Sequence, residues 1–344
     1  MKRRTIMTVK GPIDADKAGV CLPHEHVFVD LRFAVESKSK EKVKLSTLSR
    51  IRDNYLALPD NLLLSSIPKA ISELSSFAEY GGSTLVDLGC TGLVRRPRDL
   101  RVVSEKSGVS IVVATGYYIK QSLESGTLGA SEAELAARIV REFEKGIGDS
   151  SIRPGIIGEI GIGPVIEDWE RKVIRAVSAA QRETGLSVSY HIQAVPVLRG
   201  FTRPNGLEVV RLVEAAGGDL SRTVMGHSDA QIDMRYLEDL LSTGVYVEFD
   251  HFGKAFYFVD TNFTMASDTG RVEALAELVA LGHVNRLLVS QDICVKSDLR
   301  CFGGHGYSHI LRNIVPMMKN NGMGEDQIAR IMGDNVRALL SADF

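Results

Sequence analysis

Eight short runs rich in β-branched and apolar residues recur along this chain, and amphipathic stretches of helical length fall between them. No other feature narrows the fold so far. The runs are "GVCLPHEH", "STLVDLG", "SIVVATGYY", "PGIIGEIG", "LSVSYHI", "RTVMGH", "VYVEFDH" and "RLLVSQD". Between them lie "SEAELAARIVREFEKG", "DWERKVIRAVSAAQRETG", "LEVVRLVEAAGG", "MRYLEDLLSTG" and "RVEALAELVALGH", where apolar residues fall at three- and four-residue steps and glycine closes most segments. Strands alternating with helices imply a parallel sheet, since each parallel crossover needs a helix-sized connection.

Eight is also the number of strands that closes a (β/α)8 barrel, and 344 residues suit one such domain, spanning 1–344, with extra loops. A doubly wound open sheet would carry a glycine-rich phosphate turn after its first strand, and "LPHEHVF" is nothing of the kind. The expected fold is an α/β TIM barrel. Residues 32 to 66 read as a long first βα loop with a short helix, and the tail "EDQIARIMGDNVRALL" as a pair of C-terminal capping helices.

Composition excludes several classes. The formal net charge is −2 and no long basic run occurs, so nucleic acid is not an expected partner. The opening "MKRRTIMTVKGPI" has no apolar core of a secretory signal, and no apolar run approaches the length of a membrane span. Cys21, Cys90, Cys294 and Cys301 form no C-x-x-C pair and read as incidental thiols in a reducing compartment. A cytoplasmic protein acting on a small molecule is the expectation.

The strand ends carry the chemistry. The first run ends in His24 and His26, the fourth holds Glu159, and the fifth holds His191. His227 ends the sixth, Asp250 and His251 the seventh, and Asp292 the eighth. In a barrel these ends share one rim, where active sites of this fold lie. The side-chain period of two puts His24 and His26 on one inner face and turns Glu25 away. A single histidine at a strand end is more often a core or rim residue than a ligand. Five of the eight histidines at such ends, with acids at others, point to a metal site.

Imidazoles and carboxylates without thiolate suit zinc foremost, and also manganese, cobalt or iron. Six candidates exceed the needs of one ion, whereas two divalent metals roughly 3.5–4 Å apart would use them all. His24, His26 and Asp292 are assigned to the first metal, His191 and His227 to the second, and Glu159 to both. Asp292 is the expected general base toward a bridging water, and His251 the group that carries the proton onward. His305 and His309, in "GGHGYSH", have helical metal-pair spacing, but the glycines around them favour loop packing.

"LPHEH", "GIIGEIG", "YHIQ", "MGHSD", "FDHFG" and "SQDI" resemble, in this order, the motifs of the phosphotriesterase family of the amidohydrolase superfamily. The late "GGHGYSHILRNIVPMM" is similar to the phosphotriesterase-related branch. The resemblance implies a barrel, a binuclear metal centre and hydrolysis by a bridging hydroxide. Two departures stand out. The fourth strand has no lysine to carboxylate, so Glu159 must bridge directly, and "GHSDD" of the phosphotriesterases is here "GHSDA", ending in Ala230. The proton relay from Asp292 through His251 then lacks its third acid unless Asp229 supplies it.

The metal centre is indifferent among lactones, small amides and phosphotriesters. The resemblance makes Tyr118, with Tyr117 beside it at the barrel mouth, a candidate to polarise a substrate carbonyl, as a tyrosine near this place can in lactonase relatives; a rim aromatic covering the pocket is the other reading. Lys254 and Arg300 are candidates to hold an anionic tail. A lactone is the leading expectation, with an amidase on small N-acyl compounds or a phosphotriesterase as alternatives. A lyase on the same ligands and a non-catalytic metal-binding relic rank lower. A homodimer is the assembly expected from barrel relatives.

Overall fold

The computed structural model describes residues 4–193, 204–258 and 262–342. Eight strands form one sheet: β1 (Val20–Glu25), β2 (Gly82–Asp87), β3 (Ser110–Thr115), β4 (Ile156–Ile162), β5 (Val188–Ile192), β6 (Thr223–Met225), β7 (Tyr246–Phe249) and β8 (Leu287–Val289). They lie side by side in chain order and every ladder is parallel. The seam between β8 and β1 closes at the rim rather than through a regular ladder. There the Asp292 N–H donates to the His24 carbonyl at 3.1 Å and the His26 N–H to the Ile293 carbonyl at 3.2 Å.

Helices follow the strands: α1 (Ile67–Glu79), α2 (Pro97–Ser107), α3 (Glu132–Lys145), α4 (Asp168–Thr184), α5 (Gly206–Ala215), α6 (Met234–Ser242) and α7 (Asp268–Ala280). Their starts and stops follow local chemistry. Ser131 and Glu134 form a reciprocal cap on α3, and Gly185 takes the left-handed conformation (φ 69°) that ends α4. One apolar cluster fills the space between sheet and helices. Among the described residues no helix is long and apolar enough to cross a membrane.

Three features depart from the sequence expectation. A hairpin, Thr5–Thr8 paired with Gly11–Asp14, precedes the barrel. Its Ile6 packs with Cys21, Val224, Leu288, Val336, Leu339 and Leu340 in a second apolar cluster that fills the barrel's N-terminal end. The two expected tail helices, Glu325–Ala329 and Asn335–Leu340, are present but not separated: a wide π-type turn at Arg330–Asp334 joins them into one run that is helical in backbone at every junction. The long first loop holds its expected helix, Leu48–Asp53, together with 3-10 turns and a two-residue pairing of Val29–Asp30 with Leu63–Leu64.

Candidate metal centre

β1, β4 and β5 carry His24, Glu159 and His191 within the strands, while His26, His227 and Asp292 lie just past the ends of β1, β6 and β8. All six converge. His24, His26 and Asp292 bring one ligand atom each within 4.8 Å of one another, and so do Glu159, His191 and His227. The same geometry also groups His24 with His227 and Asp250, His227 with His251 and Asp292, and Asp229 with Asp250 and His251. The sequence assigns His24, His26 and Asp292 to one metal, His191 and His227 to a second and Glu159 to both. Glu159 joins them: Oε1 lies 3.1 Å from His26 Nε2, and Oε2 lies 3.1 Å from His191 Nδ1, 3.4 Å from His24 Nε2 and 3.6 Å from His227 Nε2.

The backbone is bent to achieve this. His227 (φ 58°) and Asp292 (φ 48°) occupy the left-handed region, which costs a non-glycine residue energy and is found where function over-determines conformation. Gly226 is required by close approach, since a Cβ there would stand 2.9 Å from the Tyr190 carbonyl oxygen and 3.2 Å from Asp250 Oδ2. Glu25 turns away from the cluster, as its place in the strand requires. Its carboxylate accepts from Ser290 Oγ (2.7 Å) and from the Gln291 and Ile293 N–H groups (2.9 Å each), so it anchors the turn that presents Asp292.

A layer of acids holds the imidazoles. Asp250 lies 3.0 Å from His24 Nδ1 and 3.0 Å from His227 Nδ1, touching one histidine of each group, and Glu248 lies 3.0 Å from His24 Nδ1 as well. Asp229 Oδ1 lies 2.9 Å from His251 Nδ1 and its Oδ2 accepts the His251 N–H at 3.0 Å. Asp229 thus takes the place that Ala230 leaves vacant. Asp250 already stands at the end of the seventh run, and Glu248, two residues before it on β7, follows from the same period. The buried Arg271 of α7, whose Nε pairs with Asp229 Oδ2 at 2.7 Å, had no signal in the sequence.

Charge follows packing. Burial alone would raise the Glu159 carboxyl, yet His191, His227 and His24 around it hold it well below the usual carboxylate range. Burial also works against charge on Asp292, but Lys254 and His26 keep it low. In the metal-free protein burial lowers His26 and His227, while Asp292 and Glu159 carry the former up to about 9 and Asp250 the latter up to about 10. For His251 burial prevails over Asp229 and leaves the imidazole below its ordinary value.

The donor set fits divalent metals. His24 Nε2 is buried and makes no hydrogen bond, although Nδ1 of the same ring is held by acids. A histidine pinned by acids on one nitrogen, with the other left without a hydrogen bond and facing carboxylates of the ligand groups, is the usual form of a metal ligand with its orienting partner. Imidazole and carboxylate without thiolate suit zinc, manganese, cobalt or iron.

The other expected contacts divide. Tyr118 stands at the site, edge-on to His191 with ring centroids 5.1 Å apart, and Phe33 of the first loop lies 6.4 Å from it on another side. Tyr117 does not reach the site: its hydroxyl donates to the Leu135 carbonyl at 2.8 Å, in the layer between sheet and α3. Arg300 is also elsewhere, bonded to Ser76 Oγ on α1, with its own N–H on Glu73. Lys254 is buried beside the site, with its ammonium on Asp292 Oδ2 at 2.8 Å. His305 and His309 stack on each other at 4.0 Å, and both nitrogens of His309 are engaged, by Asp268 (2.8 Å) and Asn313 (2.8 Å).

Comparison with known proteins gives a consistent picture. The model of the phosphotriesterase family matches residues 4–340. An N-acetyltaurine hydrolase of Tetraodon nigroviridis is 36% identical, covering 98% of this chain and 97% of its own length. One of Dictyostelium discoideum is 33% identical with the same coverage. Among solved structures, a resiniferatoxin-binding protein from Rhodobacter sphaeroides superposes with a TM-score of 0.92 at 31% identity, covering 98% of this chain and 94% of that one.

Proposed function

The chain belongs to the phosphotriesterase family and is a hydrolase of that metal-dependent group; on that premise we propose that it cleaves the amide bond of a small N-acyl compound. The observation that carries the chemistry is Asp292, with Oδ1 3.3 Å from His26 Nε2 and Oδ2 2.8 Å from Lys254 Nζ. Such a carboxylate faces a metal-ligand group with one oxygen and keeps a second oxygen outside it.

In this reading His24, His26 and Asp292 would hold one divalent ion and His191 and His227 a second, with Glu159 available to either group. Bound there, the two ions would polarise the scissile carbonyl and bring the pKa of the attacking water toward neutrality. Asp292 takes the proton of that water and returns it to the leaving nitrogen, a step an amine needs more than an alcohol does. His251, with a ring nitrogen within 4.8 Å of ligand atoms of Asp292 and His227 and oriented by Asp229, accepts the second proton of that water, which the carboxylic acid product releases as it ionises. Tyr118, edge-on to His191, is the residue in this reading that would polarise the substrate carbonyl with its hydroxyl.

The amide is placed ahead of the lactone because both relatives above are named for hydrolysis of an N-acetyl compound and match nearly the whole chain. That step is analogy, since pocket loops and not the barrel set the substrate. A panel of N-acetylated amino acids and aminosulfonates, simple lactones and a chromogenic phosphotriester, assayed with zinc- and manganese-loaded protein, tests it. Amide turnover above the other classes is expected. Turnover of lactones alone overturns the amide assignment, and turnover of the phosphotriester alone overturns carbonyl hydrolysis altogether.

A further inference from the structure

The loop after β7 carries a buried lysine that the reaction as written does not use. Lys254 Nζ donates to Asp292 Oδ2 at 2.8 Å and to Cys294 Sγ at 3.3 Å, and lies 4.0 Å from Asp298 Oδ2. Its backbone is fixed from both sides. Its N–H donates to the His251 carbonyl at 3.0 Å, and its carbonyl accepts from Arg271 Nη1 at 3.0 Å. Arg271 also pairs with Asp229, the partner of His251. One buried arginine therefore ties the His251–Asp229 pair and the Lys254–Asp292 pair to the same turn.

A cation is a costly choice at this point. A buried ion pair adds little net stability over apolar residues of similar volume, and dications held by the neighbouring side chains would repel the ammonium further. What the ammonium supplies is direction. Rotation about the last carboxylate torsion is broad and nearly two-fold, so packing alone does not choose which oxygen faces the histidines. With Oδ2 held by Lys254, Oδ1 faces His26 at 3.3 Å and His24 at 3.9 Å.

We propose that Lys254 is a positioning residue for the hydrolysis: by holding Asp292 Oδ2 it keeps that oxygen away from the metal ligands and fixed for proton transfer. The inference rests on the reading of Asp292 as the proton-transfer group, and not on which bond is cut. Lys254 then acts on turnover and leaves substrate affinity and metal content nearly untouched.

The experiment uses the metal-loaded full chain and whichever amide, lactone or phosphotriester probe the wild-type protein turns over, so a wrong substrate assignment leaves this test intact. In Lys254→Met, kcat is expected to fall about 100-fold with KM within about threefold, the size of one proton-transfer contribution. Metal content by elemental analysis should match the wild type. Lys254→Arg should recover part of the lost rate, and ethylammonium added to Lys254→Ala should restore rate in a saturable manner. A wild-type kcat in Lys254→Met overturns the proposal. So does loss of metal in step with rate, or an arginine variant no better than methionine with no recovery by ethylammonium, since each marks a role in folding or ligand holding.

Discussion

The two ends of this barrel are built on opposite principles. The N-terminal end is closed by the hairpin at Thr5–Asp14 and the C-terminal helical run, with Ile6, Val336, Leu339 and Leu340 packed against inward residues of the strands. Polar contacts there fasten distant chain segments to one another, such as Arg222 Nη2 donating to the Leu339 and Ser341 carbonyls at 2.9 Å each. The C-terminal end buries histidines and acids in their place, with two of them on left-handed backbone. One end stabilises the chain by excluding water. The other spends some of that stability on groups held where apolar packing would be easier. The contrast predicts that damage at the two ends will be read in different measurements.

The largest effect is expected at the upper end. Asp292→Asn should lower kcat by about three orders of magnitude, the range of general acid–base catalysis, while most of the metal and the melting temperature are kept. Steady-state kinetics with elemental analysis checks this, and a fully active variant removes Asp292 from proton transfer. At the lower end Leu339→Ala should cost about 2–5 kcal/mol of stability, as a large-to-small core change does, with kcat unchanged. Urea unfolding beside activity of the folded fraction measures both; a kinetic effect without a stability loss would erase the contrast.

A subtler difference concerns protons. In the metal-free protein His26 and His227 are raised to about 9 and about 10, so both carry protons near neutral pH. Metals bind the deprotonated rings, so uptake should release protons and apparent affinity should rise as pH climbs toward those values. Calorimetric titration in buffers of different ionisation enthalpy counts the released protons; a count of zero contradicts the assigned ligands. The smallest effect is expected at His305, which is exposed at the rim and stacked on His309. His305→Asn should change kcat by less than about threefold and leave metal content unaltered, because it lies outside the ligand groups.

The same contrast explains what could be read from the chain alone. Placement on a rigid strand made His24, Glu159 and His191 legible, since a strand fixes where its side chains point, and the period of two carries one residue past the end of β1 to His26. The hairpin at Thr5–Asp14 escaped notice because "TIMTVKGPID" is short and packs only through tertiary partners. Side chains on loops were less legible. Tyr117 and Tyr118 are neighbours in sequence, yet one hydroxyl enters the helix layer and the other ring meets His191. Lys254 reads in sequence as a candidate for an anionic tail, and its partner in the fold, Asp292, lies 38 residues away. Arg300 looked the same and is held by α1.

The most direct test of the central claim is anomalous diffraction from crystals of the zinc-loaded protein, recorded on both sides of the zinc absorption edge. The account predicts two peaks per chain, one within ligand distance of His24, His26 and Asp292 and the other of His191 and His227, with Glu159 between them. A single peak elsewhere, or none with these six side chains left bound only to one another, would contradict it.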